Sequence, residues 1–254
     1  MTREFKPSSR FHRWRLTCWA LVATLALLGP GVASAHAADA SFSLDFGNAY
    51  IWRGIVLNDD GVAQFSLDAS GLDAWGVPIG FNVWGNYDIG TFDDAIEGTE
   101  ISELDLTVYL TLPYGFETGY IEYQFPTTIG DTRELYVSWS KEMLLTPTIA
   151  VYYDFGAVNS AYTSFDLTYS AALGQKVSLD LGGLVGLAGK GWAETVGGTK
   201  GGFFNYNLSA ALGFQANDTF GLQGTVGYSG SLDTDVLPKQ PLGAYFLAGV
   251  SLAF

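Results

Sequence analysis

Large apolar and polar side chains alternate with a period of two along most of the chain after residue 40. Within residues 103–112 every even position carries a large aliphatic side chain, while most odd positions are polar. On a helix these side chains would be spread over all sides, whereas on a strand they separate onto two faces. The same alternation recurs in residues 177–181 and 204–214. The pattern therefore predicts an all-β chain.

Twelve segments show this pattern and are predicted to be strands. They cover approximately residues 41–53, 62–71, 77–89, 101–113, 115–126, 132–141, 145–155, 162–173, 177–189, 203–216, 219–231 and 242–254. Several are longer than an ordinary globular strand of about 5–6 residues and suit tilted transmembrane strands, which need about 9–11. Ten or fourteen strands are alternatives, because boundaries drawn from a pattern shift by a few residues.

The connections between these segments alternate between short and long. Those after even-numbered segments are mostly short, such as residues 112–115 and 174–176, and those after odd-numbered segments are longer and more polar, such as 90–100 and 190–202. Outer-membrane barrels have this asymmetry, with short periplasmic turns and longer outer loops. The sequence therefore predicts a transmembrane antiparallel up-and-down β-barrel of twelve strands.

One face of the segments is apolar, and the opposite face carries acidic side chains. In the fifth segment this assignment places Ile121, Tyr123 and Phe125 on the apolar face and Glu122 on the polar one. Arg53 shares the polar face. The predicted lumen-lining residues are Asp45, Arg53, Asp68, Asp88, Glu103, Asp105, Glu122, Glu134, Asp154, Asp166 and Asp180.

Water is the expected surrounding of these carboxylates, because burying ten of them beside few bases would be prohibitive. The apolar face is then expected to contact lipid and the acidic face to line the interior. The alternative is a soluble barrel with the acids outside and the apolar rows packed inward.

Residues 1–38 read as a secretory signal peptide, which leaves 39–254 as the barrel domain. Five basic residues precede the apolar stretch 16–28, and small residues at 33–38 allow cleavage after Ala35, Ala37 or Ala38. An uncleaved membrane anchor is the alternative, although the apolar stretch is short for a spanning helix. Export and the barrel pattern together predict the bacterial outer membrane as the location.

Removing residues 1–38 takes away five of the 12 basic residues, one of the 26 acidic ones, both histidines and the cysteine, and leaves 7 basic and 25 acidic residues. Disulfides, zinc sites of the Cys/His type, and catalysis by Ser-His-Asp or Cys-His are then excluded. The negative charge also argues against nucleic acid as a partner. No catalytic residue, metal site or cofactor is expected, and a membrane-embedded hydrolase is disfavoured.

Short motifs in residues 41–155 resemble the TorF-like porins, also called the Gcw_chp family. The motifs begin with 50–55 (YIWRGI) and continue in order with 64–68, 80–84, 103–106, 119–123 and 134–138. This resemblance implies a small outer-membrane barrel of porin type. The last strand also resembles those of bacterial outer-membrane barrels in ending on an aromatic residue, Phe254, which implies recognition by the barrel assembly machinery.

The expected function is passive diffusion of small polar or cationic solutes through an acidic lumen. A lumen with excess negative charge raises the local concentration of cations and lowers that of anions. The alternative is a sealed barrel that serves as a structural or surface-binding protein without transport. Because twelve strands lie between the packed interior of eight and the open channel of sixteen, a hydrogen-bonded polar plug formed by the inward acids is a further alternative.

Overall fold

A closed antiparallel barrel of twelve strands forms the body of the molecule. The computed structural model describes residues 39–74, 76–90, 99–126 and 130–254. The predicted signal peptide at 1–38 lies outside the described residues. The strands are numbered in chain order, and β2 (Tyr50–Trp52) and β3 (Ile55–Asn58) form a separate hairpin. The barrel strands are β1 (Asp39–Gly47), β4 (Val62–Ala74), β5 (Val77–Asp88), β6 (Glu100–Leu112), β7 (Phe116–Gln124), β8 (Thr132–Ser140), β9 (Thr146–Asp154), β10 (Ser160–Ala172), β11 (Val177–Ala188), β12 (Gly202–Gln215), β13 (Phe220–Ser231) and β14 (Ala244–Ala253). The predicted fold class and strand number are confirmed.

Each barrel strand pairs with its neighbours in sequence, and β1 closes the cylinder by pairing with both β14 and β4. The closing ladder sets Ser41 opposite Ala253, and the ladder on its other side sets Asp39 opposite Ser70. Within the described residues, closure leaves none of these twelve strands with an unpaired edge, as a spanning sheet requires.

The two ends of the barrel differ in the length of their connections. One end, called the turn end here, has the connections 75–76, 113–115, 141–145, 173–176 and 216–219. The other, called the loop end, has 48–61, 89–99, 125–131, 155–159, 189–201 and 232–243. The predicted alternation of short and long connections is therefore present, and β1 begins and β14 ends at the turn end.

Large apolar side chains cover the outer surface of the cylinder. Leu135 is 54% exposed and Val226 is 61% exposed, although both lie within strands. Others in these rows are Phe46, Leu67, Val108, Val137, Ile149, Val151, Phe165, Leu167, Leu208, Leu212, Leu222 and Phe246. Such a continuous apolar surface is far larger than monomeric soluble proteins expose, and it matches the apolar band of a spanning barrel.

Helical structure is scarce in the part of the chain that the structure describes. It comprises a 3-10 turn at Pro113–Gly115 and one short helix, α1 (Lys190–Thr195). None of the described helices is long and apolar enough to cross a bilayer.

The first strand ends earlier than predicted. Residues 41–53 were expected to form one strand, but β1 ends at Gly47, and the chain then forms a separate hairpin of β2 (Tyr50–Trp52) and β3 (Ile55–Asn58). The Asn48 side chain explains this ending, because its Oδ1 accepts the backbone N–H of Phe246 at 2.8 Å, a donor on the neighbouring strand β14. The chain is thereby released from the barrel wall.

Apolar side chains from several loops pack together inside the loop end. The cluster contains Trp192 and Ala193 of α1, Val236 and Leu237 of the last loop, and Phe204 of β12, all at most 4% exposed. Trp52 and Ile55 of the hairpin pack against it. The interior at the loop end is therefore filled by loop residues.

Candidate functional site

The β2–β3 hairpin extends across the barrel interior. It is rooted between β1 and β4, and its tip meets β8, β9 and β10, which lie on the far side of the cylinder in the strand order. Trp52 pairs with Ile55, so that Arg53 and Gly54 form a two-residue turn.

The turn at the hairpin tip is tight and is backed closely by the wall. Arg53 and Gly54 both have positive φ, 50° and 81°. This is the geometry of a type I′ hairpin turn, in which Asn, Asp and Gly are preferred and an arginine is uncommon. A Cβ on Gly54 would lie 2.4 Å from the Cβ of Asn205, so glycine is required there for both reasons.

Arg53 at the tip is held by a carboxylate and by aromatic rings. Its Nη1 and Nη2 donate to Oε1 and Oε2 of Glu134, both at 2.7 Å. Tyr123 donates a further hydrogen bond to Glu134 Oε2 at 2.8 Å. The guanidinium carbon lies 4.4–5.2 Å from the ring centroids of Trp52, Tyr152, Tyr162 and Trp192. Charge-assisted fork bonds and cation–π contacts of this kind are strong when dry.

Two ionisable groups of the hairpin have shifted pKa values. Burial acts to lower the pKa of Arg53, but the hydrogen bonds and charge of Glu134 raise it above the ordinary value, so Arg53 stays charged. Burial raises the pKa of Tyr50 well above its usual range, and the charges of Glu103 and Asp105 add to this effect. Tyr50 therefore stays a neutral phenol.

Four predicted lumen residues are dry instead of water-lined, which corrects the expectation that these carboxylates need water. Asp88, Glu103, Glu134 and Asp154 point inward at the loop end, and each is at most 2% exposed. The sequence argument counted only basic partners, whereas neutral donors satisfy most of these oxygens. Glu134 pairs with Arg53, and the surroundings of the other three acids are described next.

Asp88 and Asp154 anchor loop-end segments. Asp88 Oδ1 accepts amide hydrogen bonds from Asn58 at 2.6 Å and Asn86 at 2.9 Å, which fixes the base of the hairpin. Asp154 Oδ1 accepts backbone N–H bonds from residues 156, 158 and 159, and its Oδ2 accepts the Thr132 hydroxyl at 2.7 Å. These two acids shape the loop end and do not face open water.

Three neighbouring acids on β5 and β6 keep oxygens without donors. Asp88 Oδ2, Glu103 Oε1 and Asp105 Oδ1 are buried and have no hydrogen-bond partner among the described residues. Tyr50 of the hairpin lies next to Glu103. The acids therefore lie directly behind the hairpin.

A cavity of about 1000 Å³ lies inside the barrel beside the hairpin. Arg53, Asp68, Asp105 and Asp166 line it, as four of the eleven predicted residues. Its acidic lining also includes Glu117, which the sequence reasoning missed. A smaller space of about 370 Å³ at the turn end is lined by residues that include Ser178, Gly213, Gly221 and Ser251.

Tyrosines lie against the inner wall and hold the cavity carboxylates. The Tyr109 hydroxyl lies 3.1 Å from both oxygens of Asp68, and the Tyr136 hydroxyl donates to Glu117 at 2.7 Å. Tyr109 covers Gly80, where a Cβ would lie 2.0 Å from the ring. Tyr136 covers Gly119 in the same way. The glycines allow the rings to lie flat, which keeps the cavity wide.

Asp45 and Asp180 also point inward. Asp45 is paired with Gly249 on the face that carries the cavity residue Leu247, and Asp180 Oδ1 accepts the Ser170 hydroxyl at 2.5 Å. Neither is among the residues that line the main cavity.

Glu122 points outward, which corrects its assignment to the lumen. Residues 121 and 123 face the interior, so Glu122 lies on the outer surface of β7, where it forms a salt bridge of 2.9 Å with Arg133. Tyr120 also hydrogen-bonds it. The assignment failed because Ile121 and Tyr123 were taken as lipid-facing. Tyr123 instead donates to the buried Glu134, a role that its hydroxyl permits and its apolar ring conceals in a sequence pattern.

The structure resembles solved outer-membrane proteins. The COG4313 outer membrane channel from Pseudomonas putida F1 matches over 89% of this chain and 100% of its own, with 12% identity and a TM-score of 0.52. The chain has an outer-membrane β-barrel fold. Weaker matches are the KdgM porin in complex with disordered oligogalacturonate (TM-score 0.48, 10% identity, 85% of this chain and 99% of that one) and the NanC porin (0.47, 14%, 85% and 99%).

The sequence itself has no close match. No protein-family model matches the chain, and no curated protein is significantly similar to it. The resemblance to the TorF-like porins therefore rests on the short motifs in residues 41–155 alone.

Proposed function

We propose that this chain is an outer-membrane channel for the passive diffusion of small polar or cationic solutes. The observation that carries this proposal is the division of the wall into two faces. Apolar rows cover the outside, while tyrosine-held carboxylates line a cavity of about 1000 Å³ inside. Such a wall is stable in lipid and leaves a polar path for solutes.

The charge of the interior favours cations. Asp68, Glu117 and Asp166 line the cavity with carboxylates, and Arg53, the cationic side chain in the described part of that lining, is already paired with Glu134. Fixed negative charge in a narrow, low-dielectric passage concentrates cations and repels anions. We therefore expect cation preference instead of mere size exclusion.

The hairpin and the loop-end cluster set the width of the passage. Arg53 reaches across the interior to Glu134, and Trp52 packs against Trp192 with ring centroids 5.3 Å apart. A solute must therefore pass beside the hairpin or displace it. Such a passage admits small, flexible solutes.

Current through single molecules in a planar bilayer tests this function. We expect discrete conductance steps and, in a salt gradient, a reversal potential that reports cation preference. Anion preference would contradict the acidic-passage argument. Stable insertion without current at any voltage would reject the channel.

A sealed barrel that acts through its loop surface is the second candidate. The cluster of Trp192, Phe204, Val236 and Leu237 inside the loop end favours it, because these side chains exclude water from part of the interior. Insertion without current, together with retained loop structure, would support this candidate.

The remaining expectations follow from the barrel as part of the same proposal. The chain would be exported by its segment 1–38 and located in the outer membrane, in contact with lipid. Its last strand, ending at Phe254, would be recognised by the barrel assembly machinery. It would bind no nucleic acid and catalyse no reaction, and the TorF-like porins are the family we propose for it.

A further inference from the structure

The cage around Arg53 is built almost entirely by parts of the molecule other than the hairpin that carries Arg53. Glu134, Tyr152 and Tyr162 belong to β8, β9 and β10, and Trp192 belongs to α1. Only Trp52 comes from the hairpin. These five side chains are called the arginine cage below. The barrel therefore presents a carboxylate and three aromatic rings that would fit any guanidinium, whether or not it is attached to the hairpin.

We propose that the arginine cage is a binding site for organic cations that carry a guanidinium or alkylammonium group, and that Arg53 is a tethered occupant which such a cation replaces. The inference deepens the proposed channel function and rests on it for the route by which the solute arrives. It makes the hairpin a competitor for the cage as well as an obstacle in the passage.

The hairpin can leave the cage without disturbing the barrel. Among the strands that the structure describes, β2 and β3 pair only with each other. Outside the cage the hairpin is held by side-chain bonds, such as Val56 N–H to Gln240 Oε1 at 3.0 Å, and by the burial of Tyr50, Ile55 and Val56 in the interior. Release has to expose these side chains, but it breaks no hydrogen bond of the barrel ladder, so the twelve-strand wall stays intact.

A solute in the cavity can reach the cage. Arg53, Trp52, Tyr152 and Tyr162 all line the main cavity, so the occupied cage forms part of its surface. Glu117 and Asp166 line the same cavity and would attract a cation towards this region. An anion would meet the same carboxylates and be repelled.

The chemistry of the cage favours organic cations over hydrated metal ions. A planar guanidinium offers two parallel donors to Glu134 and a flat face to the rings, and it is weakly hydrated. Aromatic cages also recognise alkylammonium groups through the ring faces. A sodium ion has to lose tightly held water and gains less from rings, so it should compete poorly.

Guanidinium binding to Arg53→Ala barrels in detergent tests the proposal. We expect millimolar guanidinium chloride, but not sodium chloride, to change the tryptophan fluorescence of this variant saturably, because Trp52 and Trp192 form part of the cage. Binding should be about tenfold tighter than to the wild type, whose own arginine must first be released. The double variant Arg53→Ala, Glu134→Gln should lose about tenfold or more, because the charge-assisted fork is removed.

Two further variants control for folding and for loss of any arginine. Arg53→Lys keeps a charge in the cage but cannot form the fork, so it should assemble and bind guanidinium with an affinity between wild type and Arg53→Ala. Arg133→Ala removes an arginine from the outer surface and should titrate like the wild type. The proposal is overturned if the fluorescence of neither Arg53 variant responds saturably to guanidinium. It is also overturned if the double variant Arg53→Ala, Glu134→Gln binds guanidinium as tightly as Arg53→Ala.

Fluorescence needs no current, so the two functions can fail separately. A barrel that binds guanidinium but passes no ions would reject the channel and keep the cage. A barrel that conducts but shows no guanidinium response would reject the cage alone.

Discussion

Arg53 and Glu134 lie 81 positions apart in the sequence and meet inside the barrel through two hydrogen bonds of 2.7 Å. Their side chains are 8% and 0% exposed. A pair this buried is barely screened by salt. Each partner depends on the other, because water does not reach either charge to replace the lost contact. The contact joins the tip of the hairpin to the opposite wall, so it fixes the hairpin across the lumen.

Replacing Glu134 by Gln should release the hairpin. The change leaves the Arg53 guanidinium buried without a counter-charge, and breaking a buried pair in this way costs about 3–5 kcal/mol. Limited trypsin digestion measures this release, because Arg53 is inaccessible while the hairpin lies in the barrel and becomes a cleavage site once the hairpin leaves. We expect cleavage after Arg53 in this variant and protection in the wild type.

The matched control for this experiment is Glu122→Gln. It also neutralises a carboxylate that pairs with an arginine, but the pair lies on the outer surface and Arg133 is 52% exposed. An exposed pair contributes about 0–1 kcal/mol, so protection of Arg53 should persist. Equal resistance of Arg53 in both variants would show that the pair does not hold the hairpin.

The glycines beneath the inner tyrosines should control the width of the passage. In Gly80→Ala the new Cβ would overlap the Tyr109 ring, which would have to leave Asp68 and turn into the cavity. We expect a lower single-channel conductance and a loss of about 1–3 kcal/mol in stability from overpacking.

Gly224→Ala is the neutral comparison, because nothing lies within 4 Å of its added Cβ. The double variant Gly80→Ala, Tyr109→Ser removes the ring and should restore the conductance to the wild-type level or above. Unchanged conductance in Gly80→Ala would mean that Tyr109 does not border the conducting path.

The barrel could be predicted from the sequence because strand alternation is a local signal, but the hairpin could not. Residues 50–52 continue the apolar-rich pattern of β1, and the ending at Gly47 depends on Asn48 meeting Phe246, a contact between residues 198 positions apart. Local patterning contains no trace of such a contact. The sequence therefore placed Arg53 correctly in the interior, but it assigned Arg53 to the first barrel strand instead of to a hairpin.

The fifth barrel strand shows why the phase of an alternation can fail. Glu117 and Glu122 are separated by an odd number of positions, so no single phase places both inside. The structure places Glu117 in the cavity lining and pairs Glu122 with Arg133 outside. The neighbouring strand decides between the two phases, and a single segment read by itself does not contain that information.

The sequence also left open whether the inward acids line water or form a hydrogen-bonded plug. A count of Lys and Arg suggested that inward acids would lack partners, yet Asp154 is satisfied by backbone N–H groups and a threonine hydroxyl. Neutral donors of this kind are present in every sequence, and only the folded loops reveal where they point.

Neutralising the cavity acids should weaken cation preference. The triple variant Asp68→Asn, Glu117→Gln, Asp166→Asn removes three carboxylates that line the cavity and keeps the shape of each side chain. We expect the reversal potential in a salt gradient to shift towards zero, since the fixed charge that concentrates cations is reduced. Glu122→Gln removes one charge outside the barrel and should leave the potential unchanged. A triple variant as cation-selective as the wild type would place these residues off the conducting path.

The direction in which the wall faces can be tested at two adjacent positions of β13. Val226 is 61% exposed on the outside, while Thr225 lies opposite the cavity residue Leu247. An arginine at the lipid face near the middle of a spanning strand costs about 2–4 kcal/mol, so Val226→Arg should lower the free energy of unfolding in lipid vesicles by that amount. Thr225→Arg projects into the polar interior and should cost much less, while reducing the conductance. The reverse order of stability would mean that the apolar rows do not contact lipid, because a barrel surrounded by water would tolerate the outer arginine.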